Sequence, residues 1–511
     1  METLVNSSRV INTSMICVII SGPSLNEARE QVYRSGSRAD LLEFRLDQFS
    51  FCNIEAIAHL KNASAVPVIF TLRKRSHGGE YAGDEQQRMD QIRRLIALKP
   101  AYFDLEYDVS KTFYDEMYKL YSDVEIICSF HDFEQTPKDL QAIFEAIKQR
   151  PASIYKIATM ANSTLDSMRI LKFMLENVKK GFRISAICMG EYGSVSRILG
   201  VVFGNSIVYA PLTSDLSTAP GQLPLDELLN RYHLKKHTKE TIVLGLIGDP
   251  VNKSPSHQTH NQVLKALKLK AVYVKFNIQQ PELHEFLEFA KKLNIKGLSV
   301  TMPLKELAVC GLSEKSEDSV NIEAINTLII ENRKINGINT DGIGALDALE
   351  EHEKVNGKTI VILGAGGAAK AIAWEAHKRG ANIVILNRTI EKAEELAKAT
   401  EGSFGSLLDF PVIASKGYDI LINATSVGLV SEKSRLPIDS SFMLEGKIVL
   451  DVIPSSTDTP FLYEAKNKNC RIVFGNKMLM YQAIEQFNFW FGDTINKLQI
   501  KEAFFEAFKT I

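Results

Sequence analysis

Residues 359–389 read TIVILGAGGAAKAIAWEAHKRGANIVILNRT, and this stretch decides the fold of the second half of the chain. A β-branched run stops at Gly364, a glycine cluster continues to Gly367, and a helix-forming segment covers residues 368–378. A second apolar run follows at residues 383–386. In such a strand–turn–helix–strand unit, the glycines let backbone N–H groups approach a pyrophosphate at the helix N-terminus. We therefore predict a dinucleotide site rather than a purely structural turn.

The residues at the end of the second strand of this unit indicate which dinucleotide binds. NAD-binding units usually carry an acidic side chain there, which accepts a hydrogen bond from the ribose 2′-hydroxyl. This chain has Arg388 instead, between Asn387 and Thr389. Because a guanidinium suits a 2′-phosphate, we predict that the cofactor is NADP.

Length and composition limit the remaining possibilities. A chain of 511 residues should form two to four domains. The formal net charge of −1 gives no sequence-wide attraction to nucleic acid or membranes, and the apolar runs are too short to span a bilayer. The N-terminal stretch METLVNSSRV has no features of a signal or transit peptide. The six scattered cysteines show no metal-ligand spacing, so we expect no metal site. We also expect reduced thiols and therefore a cytoplasmic location. The sequence leaves the oligomeric state open.

The first half of the chain alternates short apolar runs with amphipathic helical stretches. Eight such runs lie between residues 15 and 212, and parallel βα units of that number suggest a closed (β/α)8 barrel. Polar residues recur at the C-terminal ends of the runs, where barrels of this kind build active sites. Simple solvation would explain one such residue, but the pattern holds over six consecutive runs. The residues are Ser21, Glu43, Arg45, Arg73, Asp104, Glu106, His131 and Lys156.

Lys156 indicates the chemistry of this half. It lies inside the apolar run IYKIAT, where an ammonium group is costly to bury. Desolvation beside the arginines of neighbouring strands would lower its pKa below the ordinary value of ~10.4 and provide an amine that forms a Schiff base. A structural ion pair with Glu43 or Glu106 is the alternative. His131 ends the preceding strand, ~4.8 Å away across the sheet, and is the predicted general acid and base.

Motifs spread over residues 10–235 resemble those of type I 3-dehydroquinate dehydratase. They are EFRLD, the arginine before GGEYAGDE, SFHDF, YKIAT, GSVSRILG and STAPGQ. The resemblance implies that Lys156 forms the imine, that His131 moves protons and that Arg197 binds the substrate carboxylate. It also implies further contacts to the substrate from Ser21, Glu43, Arg45, Arg73, Thr218 and Gln222.

One position departs from the pattern of that family. The family usually has a glutamate directly before the Gly-Gly pair that follows the arginine, and this chain has His77 there. If the glutamate tunes the catalytic histidine, another group must do so here, and Glu106 is a candidate.

After a polar segment at residues 229–241, which we interpret as a short linker, the chain resembles shikimate dehydrogenase over residues 242–491. The resemblance implies that Lys305 and Asp341 are the catalytic pair. Reducing a ketone requires a hydride donor and a proton source beside the carbonyl oxygen, and a lysine held by an aspartate provides the proton. The implied substrate contacts are Ser254, Ser256, Thr301, Asn326 and Gln482, although Ser256 could instead cap a helix.

The same resemblance implies a set of cofactor contacts and one further departure. The family has a tyrosine after the strand that ends in DVI, and this chain has Pro454, with Tyr481 as a candidate replacement. We interpret the aromatic and methionine residues of the segment 476–492 as core. The implied cofactor contacts are Gly364, Ala365, Gly366, Gly367, Ala368, Asn387, Arg388, Thr389, Thr425 and Gly475.

Together these observations predict an α/β chain in four parts. They are a barrel at residues 1–235, a substrate-binding domain at 242–340, a Rossmann NADP domain at 341–475 and C-terminal helices at 476–511 that return to the substrate domain. The two resemblances imply consecutive reactions, from 3-dehydroquinate through 3-dehydroshikimate to shikimate. A fusion with a quinate dehydrogenase and a non-catalytic metabolite sensor are the alternatives.

Overall fold

The computed structural model describes residues 14–50, 53–428 and 436–509. The stretch METLVNSSRV and Cys52 therefore lie outside the described residues. The chain divides into two compact units, the first made of Met1–Ile242 and Lys270–Ile278, the second of Val243–Leu269 and Gln279–Ile511.

One sheet of the first unit has eight strands: β1 (Met15–Ile20), β2 (Leu41–Arg45), β3 (Val68–Thr71), β4 (Tyr102–Glu106), β5 (Glu125–Asp132), β6 (Ile154–Met160), β7 (Ile184–Met189) and β8 (Ile207–Pro211). They pair in parallel in the order β7-β6-β5-β4-β3-β2-β1-β8. At the two ends of this order, Ser206 N–H donates to Ile184 O (2.7 Å) and Ser185 Oγ donates to Ile207 O (3.0 Å). The sheet is therefore nearly closed, which confirms the predicted barrel.

Seven helices alternate with these strands: α1 (Leu25–Ser35), α2 (Ile54–Asn62), α3 (Glu85–Ile96), α4 (Lys111–Leu120), α5 (Leu140–Ile147), α6 (Thr164–Lys179) and α7 (Ser194–Phe203). Serine, asparagine or aspartate side chains accept backbone N–H bonds at the N-termini of α1 to α6. Such caps satisfy backbone donors that the first turn of a helix leaves free, so the sequence sets where these helices begin.

The pleat of the strands divides the barrel interior into layers. Alternate residues point inward, and one inward layer forms an apolar cluster: Cys17, Ile19, Leu41, Ile69, Tyr102, Ile127, Ile154, Ile207 and Tyr209. Two residues further along their strands, the inward positions become polar at Glu43, Asp104, Ser129 and Lys156. The apolar layer thus supports a polar layer at the C-terminal ends of the strands.

The segment at residues 229–241, interpreted from the sequence as a short linker, contains buried side chains. Tyr232 and Leu234 are buried, at 5% and 1% exposure. Among the described cysteines, Cys17, Cys128 and Cys188 are buried, whereas Cys310 is exposed and Cys470 is half-buried. No helix of the described residues is long and apolar enough to cross a membrane.

Beyond β8, the described residues form two further sheets. The strands are β9 (Ile242–Gly248), β10 (Ala271–Asn277), β11 (Ile295–Val300), β12 (Thr327–Glu331), β13 (Lys334–Ile338), β14 (Thr359–Leu363), β15 (Asn382–Asn387), β16 (Ser403–Ser406), β17 (Ile420–Asn423), β18 (Ile448–Asp451) and β19 (Arg471–Val473). The helices are α8 (Ser256–Ala266), α9 (Leu283–Lys292), α10 (Glu317–Ile322), α11 (Asp341–Glu350), α12 (Gly367–Lys378), α13 (Ile390–Ala399), α14 (Phe410–Lys416), α15 (Pro460–Asn467), α16 (Gly475–Phe491) and α17 (Lys497–Phe508).

The two sheets have different topologies. In the first, β11 is parallel to β9 and antiparallel to β12, which is antiparallel to β13. The second sheet is entirely parallel, in the order β16-β15-β14-β17-β18-β19. Numbered within this sheet, the order is 3-2-1-4-5-6, that of a doubly wound dinucleotide-binding sheet. Strand order reverses between β14 and β17, which is where such sheets bind their ligands. No apolar run marks β16 in the sequence, because its Ser/Gly-rich residues have little strand propensity.

Candidate active sites

Asp104 is the centre of the polar layer in the barrel. Its Oδ1 lies 2.7 Å from Arg73 Nη2 and accepts a hydrogen bond from Ser129 Oγ (2.6 Å). Its Oδ2 accepts a hydrogen bond from Lys156 Nζ (3.0 Å). Burial alone would raise the pKa of Asp104, but the Arg73 and Lys156 charges hold that pKa below its ordinary value. An ionised carboxylate therefore fixes both cations inside the barrel.

Lys156 is buried, and carboxylates rather than arginines are its direct partners. Its Nζ lies 3.7 Å from Glu43 Oε1 in addition to the contact with Asp104. The ammonium also lies 4.0 Å from the centre of the Tyr209 ring. Thr71 Oγ1 donates to Glu43 Oε1 (2.8 Å) and fixes that carboxylate in turn. Several groups thus aim the amine at the cavity that it lines.

His131 reaches the same cavity from β5, the strand next to that of Lys156. Its ring stacks on that of Phe133, with centroids 6.0 Å apart and planes 9° apart. Burial, followed by the charges of Arg73 and Lys156, lowers the pKa of His131 well below its ordinary value. The imidazole is therefore neutral at neutral pH and can accept a proton.

Arg197 supplies a charge without a partner. It is 2% exposed, lines the cavity, and its Nε and Nη2 are buried without a hydrogen-bond partner among the described residues. Burial lowers the pKa of Arg197 to about 10. A buried guanidinium with two free donors fits a carboxylate supplied by a ligand.

The cavity brings together most of the predicted dehydratase residues. The space between these side chains amounts to about 570 Å³, including the part that opens to solvent. Thr218 and Gln222 line it from one loop, in which Thr218 N–H donates to Gln222 Oε1 (2.9 Å). Ser21 is not among the lining residues, and its N–H donates to Gln31 Oε1 (2.9 Å). The predicted residues that do line the cavity are Glu43, Arg45, Arg73, His131, Lys156, Arg197, Thr218 and Gln222.

Glu106, expected as a partner of the catalytic histidine, is engaged elsewhere. Its Oε2 accepts a hydrogen bond from Arg88 Nη1 (2.8 Å), and its Oε1 lies 3.5 Å from Arg73 Nη1. His77 instead lies beside His131, with ring centroids 6.4 Å apart. The sequence placed Asp104 among the polar residues at the strand ends without a specific role, and it gave no indication of Tyr209.

The second site is organised by an ion pair between two predicted catalytic residues. Lys305 Nζ donates to Asp341 Oδ2 (2.5 Å), and Asn326 Nδ2 donates to Asp341 Oδ1 (2.8 Å). Asp341 is the first residue of α11, where the positive end of the helix dipole stabilises a carboxylate. Lys305 is part-exposed to a cavity that all three residues line. The ammonium is thus held at the wall of an open cleft.

The predicted substrate contacts of the second half line this cavity as well. Ser254 Oγ donates to Ser256 Oγ (2.9 Å), and Ser256 makes no side-chain cap on α8, so the capping alternative is not seen. Gln482 Oε1 accepts a hydrogen bond from Asn326 Nδ2 (3.2 Å). The predicted residues that line the cavity are Ser254, Ser256, Thr301, Lys305, Asn326, Asp341 and Gln482.

The proposed replacement by Tyr481 is wrong. Its hydroxyl donates to Glu351 Oε1, and it is not among the residues that line the cavity. Pro454 does line the cavity, together with Ser455 and Ser456. The other aromatic and methionine residues of α16 are mostly buried, as predicted.

The cofactor residues gather at the switch point of the parallel sheet. Gly364 has φ +109°, and a Cβ there would lie 2.9 Å from Ala424 O, so the turn requires glycine. Gly366 precedes α12 with φ −87°, and a Cβ there would meet nothing within 4 Å. Open space in front of a helix N-terminus fits a pyrophosphate. The loop from Gly364 to Ala368 therefore fits the predicted phosphate cradle.

The remaining cofactor residues surround this cradle. Arg388 is exposed directly after β15 and forms no ion pair with the residues that the structure describes, so its guanidinium is available to a 2′-phosphate. Asn387 Nδ2 donates to Thr389 O (2.9 Å), and Thr425 Oγ1 donates to Asn423 Oδ1 (2.7 Å) after β17. Packing alone requires a glycine at position 475, since a Cβ there would lie 2.2 Å from Ile453 O.

A barrel with a buried lysine and a Rossmann sheet with a Lys–Asp cleft define a two-activity α/β enzyme. Family models described as type I 3-dehydroquinase, shikimate dehydrogenase substrate binding domain, and shikimate / quinate 5-dehydrogenase match residues 16–239, 246–328 and 347–436. These matches agree with the two resemblances found in the sequence.

Two relatives match nearly the whole chain, and the name of one of them contains both activities. The chain is 34% identical to the shikimate biosynthesis protein AroDE of Chlamydia pneumoniae, over 94% of this chain and 96% of that protein. It is 33% identical to the chloroplastic bifunctional 3-dehydroquinate dehydratase/shikimate dehydrogenase of Arabidopsis thaliana, over 94% and 83%. The NADP(+) shikimate dehydrogenase of Pyrococcus furiosus is 44% identical over 50% of this chain and 92% of its own length.

The chain belongs to the family of bifunctional 3-dehydroquinate dehydratase/shikimate dehydrogenases. It is a lyase and an NADP-dependent oxidoreductase of the shikimate pathway, which confirms the predicted activities and cofactor.

Arg197→Met should stabilise the protein and impair the dehydratase. Removing an unpaired buried charge should raise the free energy of unfolding of the ligand-free protein by about 1–3 kcal/mol. Losing a charge-assisted contact to the substrate carboxylate should raise the dehydratase KM about tenfold or more. Denaturant unfolding and steady-state kinetics measure the two effects. A variant that is less stable and keeps its KM would show that Arg197 is structural.

Gly364→Ala and Gly366→Ala form a matched pair. Gly364→Ala forces a side chain into the left-handed region and should lower the free energy of unfolding by about 1–3 kcal/mol. Gly366→Ala has room for its Cβ and should keep stability within about 0.5 kcal/mol. The new methyl group would occupy the phosphate cradle, so the Kd for NADP should rise about tenfold or more. Equal stability losses in both variants would contradict this assignment.

Proposed function

We propose that the barrel dehydrates 3-dehydroquinate through an imine on Lys156, and that the Lys305 cleft reduces the product with NADPH. The observation that carries the first half is the buried amine of Lys156, aimed at a cavity by Asp104 and adjacent to a neutral His131. The preference for shikimate over quinate is part of the proposal, because the matching family model is described by both names.

The imine forms from the lysine and the ketone of the substrate. Lys156 must first lose one proton, and neutral His131 is the base in the same cavity that can take it. The amine then bonds to the carbonyl carbon, and the oxygen leaves as water after it has received protons, one of them returned by His131. A protonated lysine and a ketone thus become an iminium and a water, with no net change of charge.

The iminium makes the elimination possible because it accepts an electron pair. His131 removes a proton from the carbon next to the imine, and the C–H electron pair forms an enamine. The hydroxyl one carbon further leaves as this pair moves back, and His131 returns its proton so that water departs. Arg197 holds the carboxylate, while the amide, hydroxyl and charged groups at Glu43, Arg45, Thr218 and Gln222 face the other oxygens.

In the second site, the protein supplies the proton and the orientation. The nicotinamide supplies a hydride to the ketone carbon when the cofactor is bound. Lys305 donates a hydrogen bond or proton at the ketone oxygen, and Asp341 holds the ammonium in place. Ser254 and Ser256 present hydroxyls that can donate to the substrate carboxylate. Arg388 would hold the 2′-phosphate of the cofactor.

We also propose a cytoplasmic location. The free buried thiols Cys17, Cys128 and Cys188 support a reducing compartment.

Borohydride trapping tests the imine. Sodium borohydride added with 3-dehydroquinate should reduce the imine and fix the mass of the ligand on the peptide that contains Lys156. Peptide mass spectrometry locates the label, and Lys156→Met protein is the control that should remain unlabelled. Labelling of another lysine, or an active dehydratase that is never trapped, would overturn the mechanism. Parallel assays with shikimate and quinate decide the specificity of the second half.

Lys305 and Asp341 should act as one unit. Lys305→Ala should lower kcat for 3-dehydroshikimate reduction by ~10²-fold or more, because a general acid is lost, and Asp341→Asn should also slow turnover. The double variant should be little slower than Lys305→Ala, since the two losses are not additive within a unit. Dehydratase activity of the same samples is the internal control. Additive losses, or an unchanged kcat with a raised KM, would reduce the pair to substrate anchors.

A further inference from the structure

The wall of the barrel cavity contains a second histidine, which has no part in the mechanism above. His77 lines this cavity together with His131, and the two rings are nearly perpendicular, at 86°, with centroids 6.4 Å apart. His77 follows β3 in the chain, whereas His131 lies in β5. Two separate segments therefore bring two imidazoles to one edge of the cavity.

Both rings keep one nitrogen unsatisfied. His77 Nδ1 and His131 Nδ1 are buried and have no hydrogen-bond partner among the described residues. A buried polar atom without a partner is costly, and in an enzyme such atoms often await a partner that arrives with the substrate. A centroid separation of 6.4 Å is too wide for a direct bond between the rings as they stand. One bridging water, or a small ring movement on substrate binding, would close that gap.

Asp108 sets which nitrogen of His77 carries a proton. His77 Nε2 lies 3.2 Å from Asp108 Oδ2, and Lys74 Nζ donates to the same oxygen (2.7 Å). The hydrogen bonds from His77 and Lys74 hold the pKa of Asp108 below its ordinary value. An ionised carboxylate can only accept, so His77 Nε2 carries the hydrogen. In the neutral ring, Nδ1 is then a hydrogen-bond acceptor on the side that remains free.

We propose that His77, oriented by Asp108, is a positioning residue that accepts a hydrogen bond from His131 Nδ1–H during dehydration. This contact fixes the tautomer of His131, so that its Nε2 is the atom that takes and returns protons. The proposal rests on the dehydratase function proposed above and adds a residue to it.

The charges around His131 explain why such a partner matters. The charged groups that face it are Arg73 from the β3 end, Asp104 from β4 and Lys156 from β6. Asp104 is already shared between the two cations, so a protonated His131 has little anionic support left. The pair His77–Asp108 adds a carboxylate behind the ring when His131 becomes an imidazolium. That support acts only while His131 holds a proton, which is a catalytic intermediate state.

The experiment uses the full-length enzyme with Asp108→Asn and His77→Phe, which keeps a ring of similar size without nitrogens. Both variants should lower the dehydratase kcat about tenfold or more, a share of the ~10²–10⁴-fold that acid–base catalysis provides, with little change in KM. Loss of the carboxylate should lower the pKa of His131, so the acidic limb of the kcat/KM profile should move to lower pH. His77→Glu should keep kcat near that of the wild-type enzyme, unlike His77→Phe, because the glutamate carboxylate would accept the hydrogen bond from His131 directly.

Coupling and controls separate this idea from a structural role. Asp108→Asn should have little further effect in the His77→Glu background, although it slows the wild-type enzyme. Asp115→Asn removes an exposed carboxylate that pairs with Lys111 on α4 and should leave dehydration unchanged. Shikimate dehydrogenase activity of each sample reports the concentration of folded protein.

Three results would overturn the inference: an unchanged kcat in both variants, a slowed enzyme whose acidic limb does not move, or no rescue by His77→Glu. Asp108 is 37% exposed, so its variant tests the idea even if His77→Phe does not fold. Failure of the underlying function would look different, because the wild-type enzyme itself would then not dehydrate 3-dehydroquinate.

Discussion

The buried carboxylate of Asp104 is the interaction on which the barrel site depends. It receives Arg73, Ser129 and Lys156 at once, inside a layer that rests on apolar side chains. Removing one partner of a buried ion pair leaves an uncompensated charge, which costs several kcal/mol, so each member keeps the others in place. Glu43 and Glu106 lie near Lys156 and Arg73 as well, so carboxyl groups compensate both of these cations. Arg197 has no such partner among the described residues, and its charge is the one that remains for an acidic substrate.

The strands and the reactive side chains could be predicted from the sequence, because both are marked by short patterns of neighbouring residues. Eight apolar runs of strand length predicted the barrel, and the charged residues in those runs predicted which side chains line its cavity. Partners were harder to read, because they depend on which strand lies beside which. Lys156 has Asp104 as its nearest carboxylate, and of the two partners considered for it, Glu43 and Glu106, Glu43 lies 3.7 Å away. Ser21 lies just past the last residue of β1. Ser21 was predicted as a substrate contact because it ends the first apolar run, but β1 stops at Ile20 and Ser21 is not among the residues that line the cavity.

Helix geometry explains why the prediction of Tyr481 as a substrate contact was wrong. Gln482 and Gln486 are four residues apart on α16, share a face and both line the cavity. Tyr481 is one residue earlier, about 100° around the helix, and turns to Glu351 instead. Sequence proximity to a functional residue is therefore a poor guide within a helix. Gly364 was predictable because its turn imposes a local requirement, whereas Gly475 is explained by the approach of a distant backbone at Ile453.

The segment after β8 continues without a break into β9, with Leu228, Tyr232 and Leu234 packed along it. A cell that translates this chain makes one dehydratase for every dehydrogenase. Neither transcription nor mRNA stability can alter that ratio, so the balance of flux between the two steps is a property of the polypeptide. Any accumulation of the intermediate is then governed by the rate constants of the two sites, and natural selection can adjust it only through their amino acids.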